Sequence, residues 1–348
     1  MKQEAPSSIR RGSSHDPENA IYNGSRDGLS AAQIDSYMAG GMNWYIYGVV
    51  RTPSTNVVSI MDAANAGYDM ATDLDRFNER HGEANFLTED SNVWVRMKRA
   101  NIGRDGGYDG KYTMGQIGYE DGDKDNRYGV AFDYMRGKSN LSSNGTTENT
   151  RKGIMLYDTV IDKEKGTYLD LVARFGRVDN ELDAYSRAGK SIKGDYNSNV
   201  YSLSAEYGKK YQKEPNSIFF EPQVQLQFAR VGSADFTTAN GVSTSIDSAN
   251  SLIGRLGFRV GKDVDKDSNV YFKADVLREF SGGQDVRMSS GGYADTYTVE
   301  KRGTWFDVGL GADVRLSKAT YLTCDIERSF GGELAKNWEV NIGAKWAF

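Results

Sequence analysis

The stretch 337-NWEVNIGAKWAF-348 closes the sequence on strict alternation. Trp338, Val340, Ile342, Ala344, Trp346 and Phe348 fill the even positions. Asn337, Glu339, Asn341, Gly343, Lys345 and Ala347 fill the odd ones. A period of two is a β-strand with one apolar and one polar face. A terminus normally frays into water, so a final large aromatic asks for a solvent other than water, or a receptor that reads it.

The bulk numbers bear on that choice. Mean hydropathy is −0.62 and no run approaches 18 apolar residues, which excludes a transmembrane helix. A transmembrane barrel hides its hydrophobicity in alternate positions and escapes such a window. The 348 residues hold 39 Gly, 21 Tyr, 14 Phe and only 5 Pro, which suits aromatic-rich strands with tight corners. The formal charge of −5 comes without a basic block, so nucleic acid is not an expected partner. Cys324 stands alone, and His15 and His81 are the only histidines, which leaves little for metal or acid–base chemistry. No catalytic residue, cofactor or metal is expected. The opening MKQEAPSSIRRGSS lacks an apolar core, so no signal peptide is expected there and the chain reads as a mature piece or C-terminal fragment.

Working back from the end, twelve segments of 10–14 residues read as strands: 92–102, 111–120, 127–138, 150–161, 167–179, 199–211, 218–231, 251–261, 269–280, 304–316, 320–330 and 338–348. A tilted membrane-crossing strand needs about 9–11 residues, whereas strands in soluble proteins average about 5–6. In 304–316, Phe306, Val308, Leu310, Ala312, Val314 and Leu316 share a face opposite Asp307, Asp313 and Arg315. In 218–231, Phe220, Val224, Leu226 and Phe228 oppose Glu221, Gln223, Gln225 and Gln227. Pro222 cannot donate to a ladder, so a bulge is expected there. The segment RKGIMLYDTVI is ambiguous in register. DGDKDN, DKEKG, QKEPNS, DVDKDS and 317–319 are short connections. They alternate with the long stretches 138–149, 180–198, 233–250 and 281–303. Short turns on one rim and long loops on the other mark an outer-membrane barrel.

Upstream the period changes. Residues 1–36 read as disordered or as the frayed edge of something larger, and NWYIYGVV (43–50) as a strand. From Ser54, Val58, Met61, Ala64, Tyr68, Ala71, Leu74 and Phe77 recur at helical spacing, with Pro53-Ser54 as start and Gly82 as stop. One helix over 54–81 would be about 42 Å long. Ala63, Ala64, Ala66 and Gly67 keep its middle slim, and Asp69, Asp73, Asp75, Arg76, Glu79 and Arg80 keep it charged. Twelve strands put both barrel ends on the short-turn rim, so the helix must descend from the long-loop side or lie beneath the barrel.

Taken in order, these pieces resemble the translocator domain of autotransporters, the type V secretion systems. The resemblance runs from about Asn43 to Phe348 and rests on NVWVR, on the stretch from Asp235 to Gly261, on TWFDVGLGADVRLS and on NIGAKWAF. It implies a 12-stranded antiparallel outer-membrane β-barrel with an N-terminal α-helix in the lumen. The implied division is 1–53 passenger end, 54–82 pore-spanning helix, 83–91 linker and 92–348 barrel. The resemblance implies that Asn341, Gly343, Trp346 and Phe348 form the signal read by the barrel assembly machinery. It also implies outer-membrane lipid, periplasmic chaperones and the chain's own surface-exposed passenger as partners. Some members cleave themselves between two asparagines just before a stretch like FNERHGE; here Asp75 and Arg76 stand in those places. The alternative is a stand-alone porin or adhesin barrel.

Other motifs have plain readings. DGDKDN and DVDKDS begin like calcium loops, but the Gly and Glu that an EF-hand requires are missing, which favours solvated turns. His81 reads as a helix C-terminal cation, and Gly309-Leu310-Gly311 as mid-strand glycine rather than a nucleotide loop. Arg96, Lys98, Asp133, Asp170, Arg174, Glu221, Arg255, Arg259, Asp307, Asp313 and Arg315 fall on polar faces. They either hydrate a pore or form a charged sleeve around the helix. Twelve strands 4.8 Å apart and tilted about 40° give a radius of roughly 12 Å, room for about one helix.

Overall fold

The computed structural model of the chain describes residues 22–25, 50–84 and 91–348, apart from 124, 187, 188, 215 and 333. Twelve long antiparallel strands make the barrel: β1 (Asn92–Arg104), β2 (Asp109–Gly122), β3 (Asn126–Asn140), β4 (Gly145–Asp162), β5 (Thr167–Tyr185), β6 (Ser191–Lys209), β7 (Ile218–Val231), β8 (Ala249–Asp265), β9 (Ser268–Glu279), β10 (Gly303–Arg315), β11 (Thr320–Phe330) and β12 (Leu334–Ala347). Each pairs with its neighbours in sequence, and β12 closes on β1 through Asn341 opposite Lys98 and Gly343 opposite Arg96. No open edge is left in the wall, so every strand's backbone has partners on both sides.

The faces are those of a soluble sandwich turned inside out. Along β12 and at the residue after it the apolar face is the outer one, with Ile342 55% and Phe348 73% exposed and Val340 and Ala344 half-buried, whereas Glu339, Asn341 and Lys345 are buried. Phe132, Ile154, Phe175, Leu226, Leu310 and Ile326 are likewise exposed on their strands. Apolar outside and polar inside is stable only if lipid is the outer solvent. Met155 and Tyr157 of β4 face inward among the polar side chains, which is why RKGIMLYDTVI gives no clear register from sequence.

Three expectations change. The long stretches on one rim are largely strand: β4, β5 and β6 run 18, 19 and 19 residues. Leu182, Ala184 and Ile192 continue the alternation beyond the membrane-spanning length, and they are buried. Strands Ala234–Thr237, Ser243–Ile246, Gly283–Ser290 and Tyr293–Glu300 add a four-stranded sheet on the same rim. Pro222 makes no bulge. The pairing of β7 with β8 runs unshifted through Pro222 opposite Phe258. On its other side the ladder is interrupted between Phe220 opposite Tyr211 and Gln223 opposite Gly208, with no change of register. A gap of two residue pairs accommodates the missing N–H. The register shift in the wall near the terminus lies instead between Lys336 and Trp338.

The third change concerns the helix, which is two pieces: α1 (Thr55–Ala71) and α2 (Phe77–His81). Ser54 caps α1 by accepting from the Val57 N–H, and Gly82 ends α2 at φ 70°. Upstream, Tyr22–Ser25 pairs antiparallel with Val50–Pro53, a short strand inside the stretch read as disordered. The rest of NWYIYGVV and of 1–36, His15 and most of the 83–91 linker lie outside the described residues.

Candidate functional site: a charged lumen around a broken helix

The two helices lie among the inward-facing side chains of the wall. The Ser54 end is at the rim of the extended strands: Asp62 accepts from the backbone N–H and hydroxyl of Ser142, 2.8 and 2.6 Å. Asn56 accepts from the Asn240 amide at 2.8 Å on the same rim. His81, at the other end, lies 2.9 Å from Lys345 Nζ and 3.2 Å from Glu120, by the short turns.

The upper half is apolar. Val57, Ile60, Ala63 and Ala64 are buried in one cluster with Leu182, Ile192, Val242, Ile246, Val286 and Met288. The sequence reads as a slim, charged rod, yet its first three turns carry a stripe wide enough for a dry core. The partners come from the strand extensions and the added sheet, which sequence reading took for loop. Below, Gly67 faces Asn180 so closely that a Cβ would overlap its side-chain amide. Asp69 is held by a two-pronged contact from Arg104, 2.7 Å on each arm, and by the Tyr108 hydroxyl at 2.6 Å.

The break over 72–76 is where the wall takes over the backbone. Arg151 donates to the Met70 carbonyl (2.7 Å), Gln227 to that of Thr72 (2.9 Å), Arg174 to that of Asp73 (3.2 Å) and Gln225 to that of Asp75 (2.8 Å). Glu206 accepts from the Phe77 N–H at 3.1 Å, and Phe77 stacks on Tyr168 at 4.1 Å. Helix ends leave four carbonyls and four N–H groups without partners; here side chains of four strands, β4 to β7, supply several of them. Asp73 and Asp75, poor helix formers that favour turns, mark the spot in the sequence.

The side chains of the break complete the clamp. Arg76 reaches Asp307 and Glu327, each at 2.6 Å, and Asp275 and Glu79 at 3.4 Å. Asp75 meets Arg80 (2.7 Å), Arg174 (3.0 Å) and Arg96 (3.4 Å); Asp73 meets Lys98 (2.8 Å). Glu79 pairs with Arg96 at 2.6 Å, and Arg80 with Asp170 at 2.6 Å. All of these are buried except Asp73, which is partly so. Glu79, Asp325 and Glu327 lie close enough together to hold a divalent ion. Arg76, Lys273 and Lys336 already sit among them as counter-charges.

Of the wall residues singled out from sequence, Arg96, Lys98, Asp170, Arg174 and Asp307 touch the helical segment directly. Arg259 reaches Glu83 (3.3 Å) and Glu221 (2.8 Å); Arg255 bridges Glu206 (3.0 Å) and Asp275 (2.7 Å); Asp133 holds Arg151 (3.0 Å). Asp313 is buried beside Gly82, 3.5 Å from Arg259. Arg315 is not in this group: it sits at the short-turn rim, 2.8 Å from Asp267, because β10 ends there. Of the helix positions, Tyr68 and Ala71 are buried, and Leu74 packs beside Ile253, Leu277 and Trp305. Val58 and Met61 are half-buried at the upper rim. Of the terminal residues, Asn341 faces the lumen, accepting from Arg96 at 2.6 Å and donating to the Glu79 carbonyl at 3.1 Å. Gly343 faces inward as well, while Trp346 and Phe348 face outward. Arg151, Glu206, Lys273, Asp275, Glu327 and Lys345 were missed, although each shares the parity of its strand's polar face.

A family model, the autotransporter beta-domain, matches residues 93–327, the greater part of this wall. The chain belongs to the autotransporter β-domain family. Pertactin autotransporter of Bordetella parapertussis is 31% identical over 219 residues, covering 62% of this chain and 23% of its own length. The chain thus spans about a quarter of the curated relatives it matches first. In three dimensions it resembles the β domain of the Bordetella autotransporter BrkA: TM-score 0.60, 22% identity, 74% of this chain and all of that one. It also resembles the translocator domain of NalP from Neisseria meningitidis: TM-score 0.61, 14% identity, 85% and 98% covered. As an autotransporter β-domain, the chain is a translocator barrel of the bacterial outer membrane. Short turns form the periplasmic rim of such barrels, which puts the extended strands on the outer side.

Proposed function

We propose that this barrel anchors and exports an N-terminal passenger, and that residues 54–82 remain in the lumen afterwards as plug and tether. The division is then passenger end 1–53, plug 54–82, linker 83–91 and barrel 92–348. The observation that carries this is the clamp on 72–80: wall side chains hold its backbone carbonyls and its charges together. Such a segment can enter as unfolded chain, since only its final conformation satisfies the wall. Asp75 and Arg76, where some members cut themselves, are both spent here on ion pairs. The reading gives this chain no catalytic step; any activity of a longer protein would lie in its passenger. Assembly is assigned to the barrel assembly machinery and periplasmic chaperones, reading Asn341, Gly343, Trp346 and Phe348. Deleting residues 1–82 should leave a folded barrel and raise single-channel conductance in planar bilayers several-fold. Unchanged conductance would show that the helix does not close the pore.

A further inference from the structure

The outer wall carries a second ordered pattern of charge. Going up each strand from the short-turn rim, outward side chains are apolar and then turn basic at one level. The change runs from Met97 to Arg99 on β1, Tyr134 to Arg136 on β3, Ile154 to Lys152 on β4 and Phe175 to Arg177 on β5. Lys111 of β2 and Lys138 of β3 stand one step higher, and all six cations are exposed. Lys111 lies directly opposite Lys138, and Lys152 directly opposite Arg177. Like charges paired across strands destabilise a sheet. Among the described residues, two carboxylates pair with them: Glu148, 2.9 Å from both Arg136 and Lys138, and Asp179, 3.0 Å from Arg177 and 3.5 Å from Lys152. Among the described residues, Arg99 and Lys111 form no ion pair. Further up, Glu181 and Asp183, the latter 3.2 Å from Lys193, end the excess.

Snorkelling explains single cations at an apolar boundary. Arg278 and Arg328 are of that kind, each lying over a neighbouring phenyl ring, Phe280 at 5.5 Å and Phe330 at 5.2 Å. It does not explain two like-charged pairs side by side on adjoining strands. We propose that this band docks the phosphates of the anionic glycolipid in the outer leaflet. Phosphate would relieve both repulsive pairs, with Arg offering a planar fork and Lys a point charge. Phe132, Ile154 and Phe175, exposed directly below, would take the acyl chains of the same molecule. That continuity of charge and apolar surface favours a lipid-borne phosphate over a free one.

The test titrates the full chain, refolded in detergent micelles, with bisphosphorylated lipid A and with its dephosphorylated form, and reads retention by native mass spectrometry. A preference of roughly tenfold or more for the phosphorylated lipid is expected. Lys138→Gln with Arg177→Gln, one from each repulsive pair, should abolish that preference. The melting temperature of this variant in lipid-free detergent should equal or exceed that of the parent. Inorganic phosphate should not displace the lipid; displacement would overturn the lipid assignment in favour of plain anion binding. Equal retention of the two lipids, or a preference unchanged in the variant, would overturn the site. If the double variant does not refold, Lys111→Gln, which has no ion pair to lose, carries the same comparison.

Discussion

Arg76 shows how much one side chain can hold. Its guanidinium touches carboxylates from β9, β10 and β11 as well as Glu79 of α2. Removing one partner of a buried ion pair typically costs about 3–5 kcal/mol, because the other charge is left without compensation. Arg76→Met keeps the stem and removes the charge, leaving Asp307 and Glu327 to Lys336 and Lys273 while Arg255 still meets Asp275 and Arg96 still meets Glu79. The expected result is a looser helical segment inside an intact barrel. It would be read as faster protease cleavage between 54 and 82 and a noisier closed state in bilayers. Protease resistance equal to that of the parent would mean that the carbonyl clamps suffice alone. At this scale the sequence was legible in parity but not in partnership. Alternation put Asp307, Arg96 and Glu221 on the inner face, and it would have put Lys273 and Glu327 there too. It could not show which carboxylate meets which guanidinium, since partners such as Arg76 and Glu327 lie 251 residues apart.

Among the elements, the strands were legible and the helix only half so. Period two identifies a strand whichever solvent lies on its apolar side, and the membrane followed from strand length and from the terminal aromatic. Helical spacing from Val58 to Phe77 predicted one rod, and the wall overrode it. Four wall donors satisfy the carbonyls between Met70 and Asp75 better than a continued helix would, given two aspartates there. The upper rim was misread for a related reason. Leu182, Ala184 and Ile192 lie beyond the membrane-crossing length, so their alternation was assigned to loop, and the apolar seat of α1 went unseen. Slimness, by contrast, was readable. Gly67 abuts Asn180 of β5, with no space for a Cβ. Gly67→Trp must therefore push the helix off that wall; overpacking of this kind typically costs about 1–3 kcal/mol, occasionally more. Thermal unfolding in detergent should begin earlier, while the same substitution at half-exposed Val58 should be nearly silent. Equal tolerance at both positions would argue against a filled bore.

At the scale of the whole molecule, folding and assembly come apart at Phe348. Its ring is largely exposed on the outer face, near Tyr119 at 6.4 Å, and its N–H donates to the Ser91 carbonyl at 3.0 Å. Losing it removes one lipid-facing side chain, about 1.5–3 kcal/mol at most, and one hydrogen bond of about 0.5–1.5 kcal/mol. The closure of β12 on β1, running from Ala347 opposite Asn92 to Leu334 opposite Arg104, is untouched. A barrel with every strand paired should survive that loss when refolded in detergent, with only a modest drop in melting temperature. Inside the cell the outcome is set by recognition before the wall has closed, when the terminal strand is still an unpaired edge. If Phe348 is read there, as the proposed assignment holds, its deletion should sharply reduce the amount of barrel in the outer membrane. Comparing outer-membrane yield with detergent refolding for the same truncated chain separates the two roles. Normal yield in cells would leave Phe348 as a lipid contact alone, whereas failure in both settings would make it structural.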